Sequence, residues 1–310
     1  MAAILIYSEK RPLALELLTA AAVIAQDTDL DVKVVCINNN EQADEMAGRG
    51  ATTYHIQEDN LNLADTACVA AALEQAVNKL DASIVLLSSN RRGKELAGRL
   101  AQKIQAGCLT DVNGLAVVEG KIQCSRNALG GAVISIQRIE TEQQVIALTP
   151  RSYEARPVQE GGSIKQLAIE AVSSPLKLIS SRGKAGDTVD IEAADILVIV
   201  GQGMEEEDMG LVESIAQTLG GEIACSKPLA TDRKWLPEDR IVGLSGKKCK
   251  PQLAIILGVS GQVQFTVGIR DAHTIVAINN DENAYILQMA DYAMVADLKE
   301  ILPELKGALG

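Results

Sequence analysis

Aromatic side chains are nearly absent. Phe, Trp and Tyr make up 2% of the 310 residues, with one Phe (Phe265) and one Trp (Trp235). An interior built without them has to be aliphatic. The same scarcity removes the stacking platforms that hold single-stranded nucleic acid. Cations are outnumbered too: 29 Lys and Arg face 41 Asp and Glu, for a formal net charge of −12. A phosphate-binding face needs clustered cations, so nucleic acid is excluded as a partner. The acidic balance serves solubility and can steer a basic partner. The six Cys, at 36, 68, 108, 124, 225 and 249, form no Cys-x-x-Cys pair. Metal and iron–sulfur ligation therefore lack support, and buried reduced thiols are expected. No apolar run approaches the roughly 20 residues that span a bilayer, so no stable membrane insertion is expected. The opening AAILIYS reads as a strand rather than a signal peptide, because no basic segment precedes a long apolar stretch. These features together predict a cytoplasmic protein.

What is present is ordinary for a globular chain: 47% hydrophobic and 23% charged residues, at a length that suggests two domains. Apolar strand candidates alternate with helical patterns. AAILIYS (2–8) precedes a helix over 12–26, where Pro12 suits a first turn. VKVVCIN (32–38), a short helix near 41–48, a helix over 63–80, ASIVLLSS (82–89) and a helix over 93–106 follow. This βαβα rhythm predicts a parallel sheet covered on both faces. From about 107 the segments become short and strand-like (NGLAVVEGKIQCSRN, AVISIQR, QVIALTP) and close a first domain. Residues 159–194, rich in Gly, Ser and charge around a strand-like PLKLIS, read as a junction. A second block begins at DILVIVGQG (195–203). It continues through a helix over 205–219, GGEIACSKPLA (220–230), IVGLSG (241–246), LAIILGVSG (253–261), a helix-sized segment, TIVAINND (274–281) and YAMVADL (292–298). The expectation is an α/β protein of two domains. Residues 1–186 form an N-terminal parallel-sheet domain whose strands and acidic surface offer area for contact with a partner. Residues 187–310 form a C-terminal doubly wound domain.

The common catalytic patterns fail here. Gly201-Gln202-Gly203 follows a strand, but position 206 is Glu where a dinucleotide fingerprint needs its third Gly. A tight strand-to-helix turn explains it equally well. Gly246-Lys247 resembles the end of a P-loop, but Ile241 and Lys248 break the pattern. His55 and His273 are far apart and show no triad partners, and the carboxylates are unpatterned. No machinery for acid–base, nucleophilic or metal catalysis is evident. What remains is a row of strand ends in the second block: Ala224-Cys225-Ser226-Lys227, Gly243-Leu244-Ser245-Gly246, Gly258-Val259-Ser260-Gly261 and Asn279-Asn280-Asp281. In an open parallel sheet the ligand lies outside the carboxyl ends of the strands. Glycine allows close backbone approach, Ser and Asn offer hydrogen bonds, and a helix start after Ser260-Gly261 favours phosphate. Several such turns suit a long ligand such as a dinucleotide.

GEIACSKPLATD, RIVGLSGKKCKPQLAIILGVSGQVQ, TIVAINND and ADYAMVADLKEILPEL, in that order, resemble the flavin-binding domain of the electron transfer flavoprotein alpha subunit family. GKELAGRLAQKIQAGCLTDVNGL and VIALTPRSYEA carry a fainter resemblance in the first block. The resemblance implies one bound FAD, an electron transfer flavoprotein beta subunit as partner, and electron carriage between flavin-dependent dehydrogenases and an acceptor. Such a protein is a carrier rather than a classical enzyme, often in fatty acid or carnitine metabolism. By the same resemblance, Ser226 and Lys227 match the Ser-Arg turn beside the isoalloxazine ring. Val242, Gly243, Leu244 and Ser245 match the flavin-contacting turn, and Ser260, Gly261, Gln262, Val263 and Gln264 the phosphate-and-flavin loop. Asn279 matches the Asn of the Ala-Ile-Asn motif, and Asp297 and Leu298 the late contact with the adenosine half.

Three departures stand out. Lys227 replaces the usual Arg, giving a point charge without a planar fork. Gln202 replaces the Arg of a Gly-Arg-Gly turn. Phe265 replaces a His near the pyrimidine end of the flavin, where negative charge gathers on reduction, so that charge is expected to be less stabilised. Phe265 also reads as plain core filler. Likewise Lys227 reads as a solvated charge, Lys247, Lys248 and Lys250 as a surface run, His273 as a helix-end residue, and Asn279 as a strand terminator. Trp235 and Cys249 receive no role. The alternative function is a non-redox nucleotide-binding regulatory module on the same fold, since fold does not fix function. A stand-alone NAD-dependent dehydrogenase is a third reading, weakened by the incomplete fingerprint.

Overall fold

A strand buried on both faces reads as an unbroken apolar run. Ala3–Tyr7, sequence AILIY, is such a strand, buried along its whole length. It is the centre of the first of two units, residues 1–181 and 182–310, in a computed structural model. The structure describes residues 2–131, 133–159, 161–170, 172–180 and 189–309. The expected boundary at 186/187 lies outside the described residues.

The first unit runs β1 (Ala3–Tyr7), α1 (Arg11–Gln26), β2 (Asp31–Ile37), α2 (Asn40–Gly48), β3 (Thr52–Ile56), α3 (Thr66–Leu80), β4 (Ala82–Ser88) and α4 (Arg91–Lys103). It continues with β5 (Gly107–Val118), β6 (Lys121–Ala128), β7 (Val133–Gln137), β8 (Gln144–Leu148) and β9 (Ser163–Gln166). The nine strands form one sheet in the order β7-β6-β5-β8-β4-β1-β2-β3-β9. Pairings are parallel except β5–β6 and β6–β7, which add an antiparallel flank. Alternation along β1 sorts the core. Ile4 and Ile6 pack with α1 and α2, and Leu5 and Tyr7 with α3 and α4. Each fully buried Leu or Ile contributes about 1.5–3 kcal/mol of hydrophobic stabilisation. Asn39, Asp65 and Asn90 cap α2, α3 and α4 by accepting from backbone N–H groups of the first turn.

The second unit runs β10 (Ile196–Val200), α5 (Met209–Thr218), β11 (Glu222–Cys225), α6 (Lys227–Thr231), β12 (Leu253–Leu257) and α7 (Val263–Thr266). It ends with β13 (Thr274–Asn279), α8 (Tyr285–Met289), β14 (Tyr292–Val295) and α9 (Leu298–Leu309). Its five strands are all parallel in the order β11-β10-β12-β13-β14, with helices on both faces. This is the doubly wound arrangement expected for the second block.

Several local expectations need correction. IVGLSG (241–246) is not a strand. It makes only isolated bridges, Cys225 to Ile241 and Val242 to Lys247, because two glycines and a tight turn prevent a ladder. The helix-sized segment after Ser260-Gly261 holds one short helix, α7, of four residues. The junction begins later than 159, since Ser163–Gln166 pairs in parallel with β3 at the sheet edge. PLKLIS (175–180) is not a strand. β3, sequence TTYHI, lies outside the apolar-run pattern because Thr53 and His55 are its buried polar residues.

Candidate functional site

In the second unit β10 feeds β11 on one side, while β12 lies on the other side of β10. The strand order therefore reverses between β10 and β12, the place where an open sheet leaves a crevice. Two loops meet across it. Gly201 N–H donates to Leu257 O (2.8 Å) and Gly203 N–H to Gly258 O (2.9 Å). Gly258 has φ +63°, and a Cβ there would sit 2.9 Å from the Gly203 carbonyl carbon. Only Gly satisfies both the backbone conformation and the crossing.

Above this crossing lies a cleft of about 580 Å³. Gln202, Ser226, Lys227, Val242, Gly243, Ser245, Ser260, Gln262, Gln264, Phe265 and Asn279 line it. These come from five separate segments, so the fold brings together most of the residues singled out by sequence. Leu244 and Val263 also lie in these loops, but both are exposed and neither lines the cleft. Gly261 packs behind it, close to the Ile286 backbone. Asp297 and Leu298 lie at the start of α9. The Asp297 carboxylate accepts from Lys299 N–H (2.9 Å), and Leu298 is buried in the core.

Ser226 is the most informative residue. Its N–H donates to Val200 O, which fixes it to the end of β10. Its side-chain oxygen is buried and has no hydrogen-bond partner. A buried hydroxyl without a partner costs about 1–3 kcal/mol, so its place on a cleft wall points to a ligand group that completes it. Lys227, next along, is exposed at the cleft. Asn279 differs from both. Its Nδ2 donates to Val259 O (2.8 Å) and its Oδ1 accepts from Asp281 N–H (3.0 Å). Its amide therefore ties the 258–261 turn to the end of β13. Phe265 turns one face to the cleft and is otherwise buried in an apolar cluster with Val242, Val259, Ile269 and Ile286. It closes that wall without offering a donor.

Lys247 faces Asp190, with Nζ 3.8 Å from Oδ1, rather than the cleft. His273 is exposed and sits against Thr274 Oγ1. Sequence reasoning missed Pro228, Thr231, Asp232 and Ala284 on the cleft wall. For three of them a signal existed. Pro228 marks a helix start, and Thr231 and Asp232 follow Lys227 within about one helical turn. Arg233 was missed as well. It donates to Met204 O (2.8 Å) and Gln202 O (3.1 Å) while stacking on Trp235 at 4.6 Å. A cation thus supports the 201–204 turn from below, although position 202 itself is Gln. The buried Cys225 thiol is pushed up to about 12 by desolvation, so it is inert beside the site. Among the described residues no cluster of His, Cys, Asp or Glu is arranged to hold a metal, and no helix is long and apolar enough to cross a membrane.

Comparison with known proteins agrees with this architecture in both units. Residues 5–174 match the electron transfer flavoprotein domain, and residues 190–270 match the electron transfer flavoprotein FAD-binding domain. Protein FixB of Salmonella typhimurium is 34% identical over 213 residues, covering 68% of each chain. Protein FixB of Escherichia coli O127:H6 is 35% identical over 213 residues, again covering 68% of each. With both domains matched in order, the chain belongs to the electron transfer flavoprotein family as an alpha-type subunit.

Proposed function

We propose that this chain binds FAD in the second-unit cleft, pairs with a beta-type subunit, and carries electrons from flavin-dependent dehydrogenases to an acceptor. The observation that carries the reading is the unpartnered, buried Ser226 hydroxyl on the wall of a cleft of about 580 Å³ at the strand-order reversal. That volume falls within the roughly 300–1,000 Å³ of ordinary cofactor sites. The residues present fit the group. Ser226 has hydrogen-bonding capacity to spare, Lys227 supplies a cation, and Gln262 and Gln264 bring amide groups to the wall.

The bound flavin supplies the redox chemistry; the protein supplies binding, orientation and electrostatics. Ser226 and Lys227 hold the ligand at the end of β11. Gln262 and Gln264 add amide donors and acceptors from the loop after β12. Asn279 acts one step back, fixing the turn that carries Ser260. Phe265 excludes water from its wall and offers no proton. The charged residues on the cleft wall are Lys227, Asp232 and Asp281, and both carboxylates accept from their own loops, from the Thr231 hydroxyl and Asn283 N–H, which suits a carrier that makes no bonds in a substrate. We place the protein in the cytoplasm, a reducing compartment that suits its six free cysteines.

The test is to co-purify the chain with a beta-type subunit, record the absorbance spectrum, identify the nucleotide released on denaturation, and titrate with dithionite. Flavin bands, released FAD and reversible bleaching are expected. A colourless complex that takes up no added FAD overturns the reading and promotes a non-redox nucleotide binder, the outcome that Gln202, Lys227 and Phe265 would then explain.

A further inference from the structure

The first unit has its own reversal of strand order. β1 feeds β2 on one side, and β4 lies on the other. The carboxyl ends of β1 and β4 run in register, Tyr7 beside Leu87. Between them is a small cavity of about 20 Å³ lined by Tyr7, Glu9, Ser88, Asn90, Arg92 and Gly93, among others. A volume above about 10–15 Å³ admits one water-sized group.

Two independent observations converge here. The first is Ser88. The residue is 5% exposed, lines the cavity, and its side-chain oxygen has no hydrogen-bond partner. The second is the start of α4. The helix is 13 residues long, has no acidic residue in its first turn, and opens Arg91-Arg92-Gly93-Lys94. Cations at a helix N-terminus oppose its dipole, by about 0.3–1 kcal/mol each. In a chain of net charge −12, three cations in one first turn run against the helix dipole, and carboxylates from outside the helix meet two of them. Glu9 pairs with Arg92 (3.0 Å) and Asp111 with Lys94 (2.7 Å), while Arg91 is exposed. The helix end is also pressed onto the strand end. A Cβ at position 93 would lie 1.8 Å from Ser88 O, so only Gly lets the first-turn N–H groups come this close. Asn90 Oδ1 accepts from Gly93 N–H (2.7 Å), and the N–H groups of Arg91 and Arg92 precede the intrahelical ladder.

We propose that this reversal point is an anion site that takes a phosphate group. One phosphoryl oxygen enters the cavity and accepts from the Ser88 hydroxyl. The other oxygens lie at the mouth, against the α4 N-terminus and the Arg91 and Arg92 side chains. The small volume excludes a deeply bound nucleotide, so the site recognises the phosphate and leaves the rest of any ligand outside. The assignment is independent of the flavin reading.

The experiment uses the full chain with its beta-type partner, saturated with FAD so that the second-unit cleft is filled. Inorganic phosphate is the probe, with chloride at matched ionic strength as control. Hydrogen exchange across residues 88–96 reports the site. Phosphate is expected to slow exchange there, and chloride is not. Ser88→Ala is expected to weaken phosphate binding about tenfold, the worth of one hydrogen bond to a charged group. The variant should be as stable as the parent without phosphate, or more so, because it removes a buried hydroxyl that has no partner. Arg91→Gln, at an exposed position, should also weaken binding. Equal protection by chloride, no protection of 88–96, or undiminished binding by Ser88→Ala would each overturn the proposal.

Discussion

The two units wind parallel strands by the same rule and finish their strand ends differently. In the first unit the reversal point between β1 and β4 is filled by Tyr7, Arg92 and Glu9, and about 20 Å³ remains. In the second unit the corresponding strand ends are Gly201, Gly203, Ser226 and Gly258, and about 580 Å³ remains. Topology sets where a crevice forms, and the size of the residues on the strand ends decides what enters it. Both points carry a buried serine hydroxyl without a partner, Ser88 in one and Ser226 in the other. Among the buried side-chain groups without a partner, which also include Thr53 and His55 on β3, these two sit at the carboxyl ends of strands beside a cavity.

The sharpest way to break the comparison is to make the open end resemble the closed one. Gly258→Val puts a β-branched residue at φ +63° and drives its Cβ towards Gly203 and Leu298. Backbone strain of about 1–3 kcal/mol adds to an overpacking cost of about 1–3 kcal/mol. The single Trp, Trp235, lies in the second unit, so its fluorescence during urea unfolding reports that unit alone. Its midpoint should fall by the largest margin of any change considered, and the co-purified complex should lose its flavin. A Gly258→Val complex that kept its full flavin complement would show that the cofactor lies elsewhere.

Much of this was legible in the sequence, for physical reasons that differ between elements. β1, β4, β10 and β12 are apolar runs because both faces are covered, and such runs need no context. β9, the edge strand, and β3 beside it carry Thr, His, Ser, Lys and Gln, so their pairing is invisible without the neighbouring strand. The cleft was legible as a set of loop ends because Gly, Ser and Asn gather after several strands of one sheet at once, although each alone also serves an ordinary turn. Individual roles were less so. Asn279 looks like a ligand-binding amide in sequence, yet both of its side-chain groups are engaged by its own chain. The phosphate-favouring helix expected after Ser260-Gly261 is too short to supply a substantial dipole. Arg233 reaches the 201–204 turn across about 30 residues, a contact that no local pattern encodes.

A milder change alters the chemistry of the open end without closing it. Phe265→His places an imidazole donor on the wall that Phe265 now closes with an apolar ring. If that wall faces the ring edge that gains negative charge, the reduced cofactor should be stabilised by about tenfold. A spectroelectrochemical titration would then show a midpoint rise of ~59 mV for a one-electron step. If Phe265 only fills the core, the variant should lose about 1–3 kcal/mol of stability, from the polar ring now buried, and leave the midpoint unchanged.

The smallest expected effect separates the units by what their stability depends on. The second unit should gain stability with flavin concentration, by mass action on its cleft. The first has a carboxylate tether instead. Asp65 accepts from Ala67 N–H (2.9 Å) at the start of α3 and from the Ser174 hydroxyl (2.6 Å), joining α3 to a chain segment more than one hundred positions later. The Ser174 hydrogen bond, followed by the backbone one, holds the Asp65 carboxyl below its ordinary range. Because the folded carboxyl ionises more readily than the unfolded one, its stabilising contribution is complete above about pH 4, the unfolded value. It is lost as the pH falls through the lower folded value. Acid titration followed by hydrogen exchange should therefore loosen residues 172–176 and the first turn of α3 below about pH 4, with no change on adding FAD. Asp65→Asn should flatten that pH response while leaving the Trp235 signal in place. If the Asn variant shows the same acid response as the parent, the tether does not set the first unit's pH dependence, and the contrast between a flavin-dependent unit and a proton-dependent one is lost.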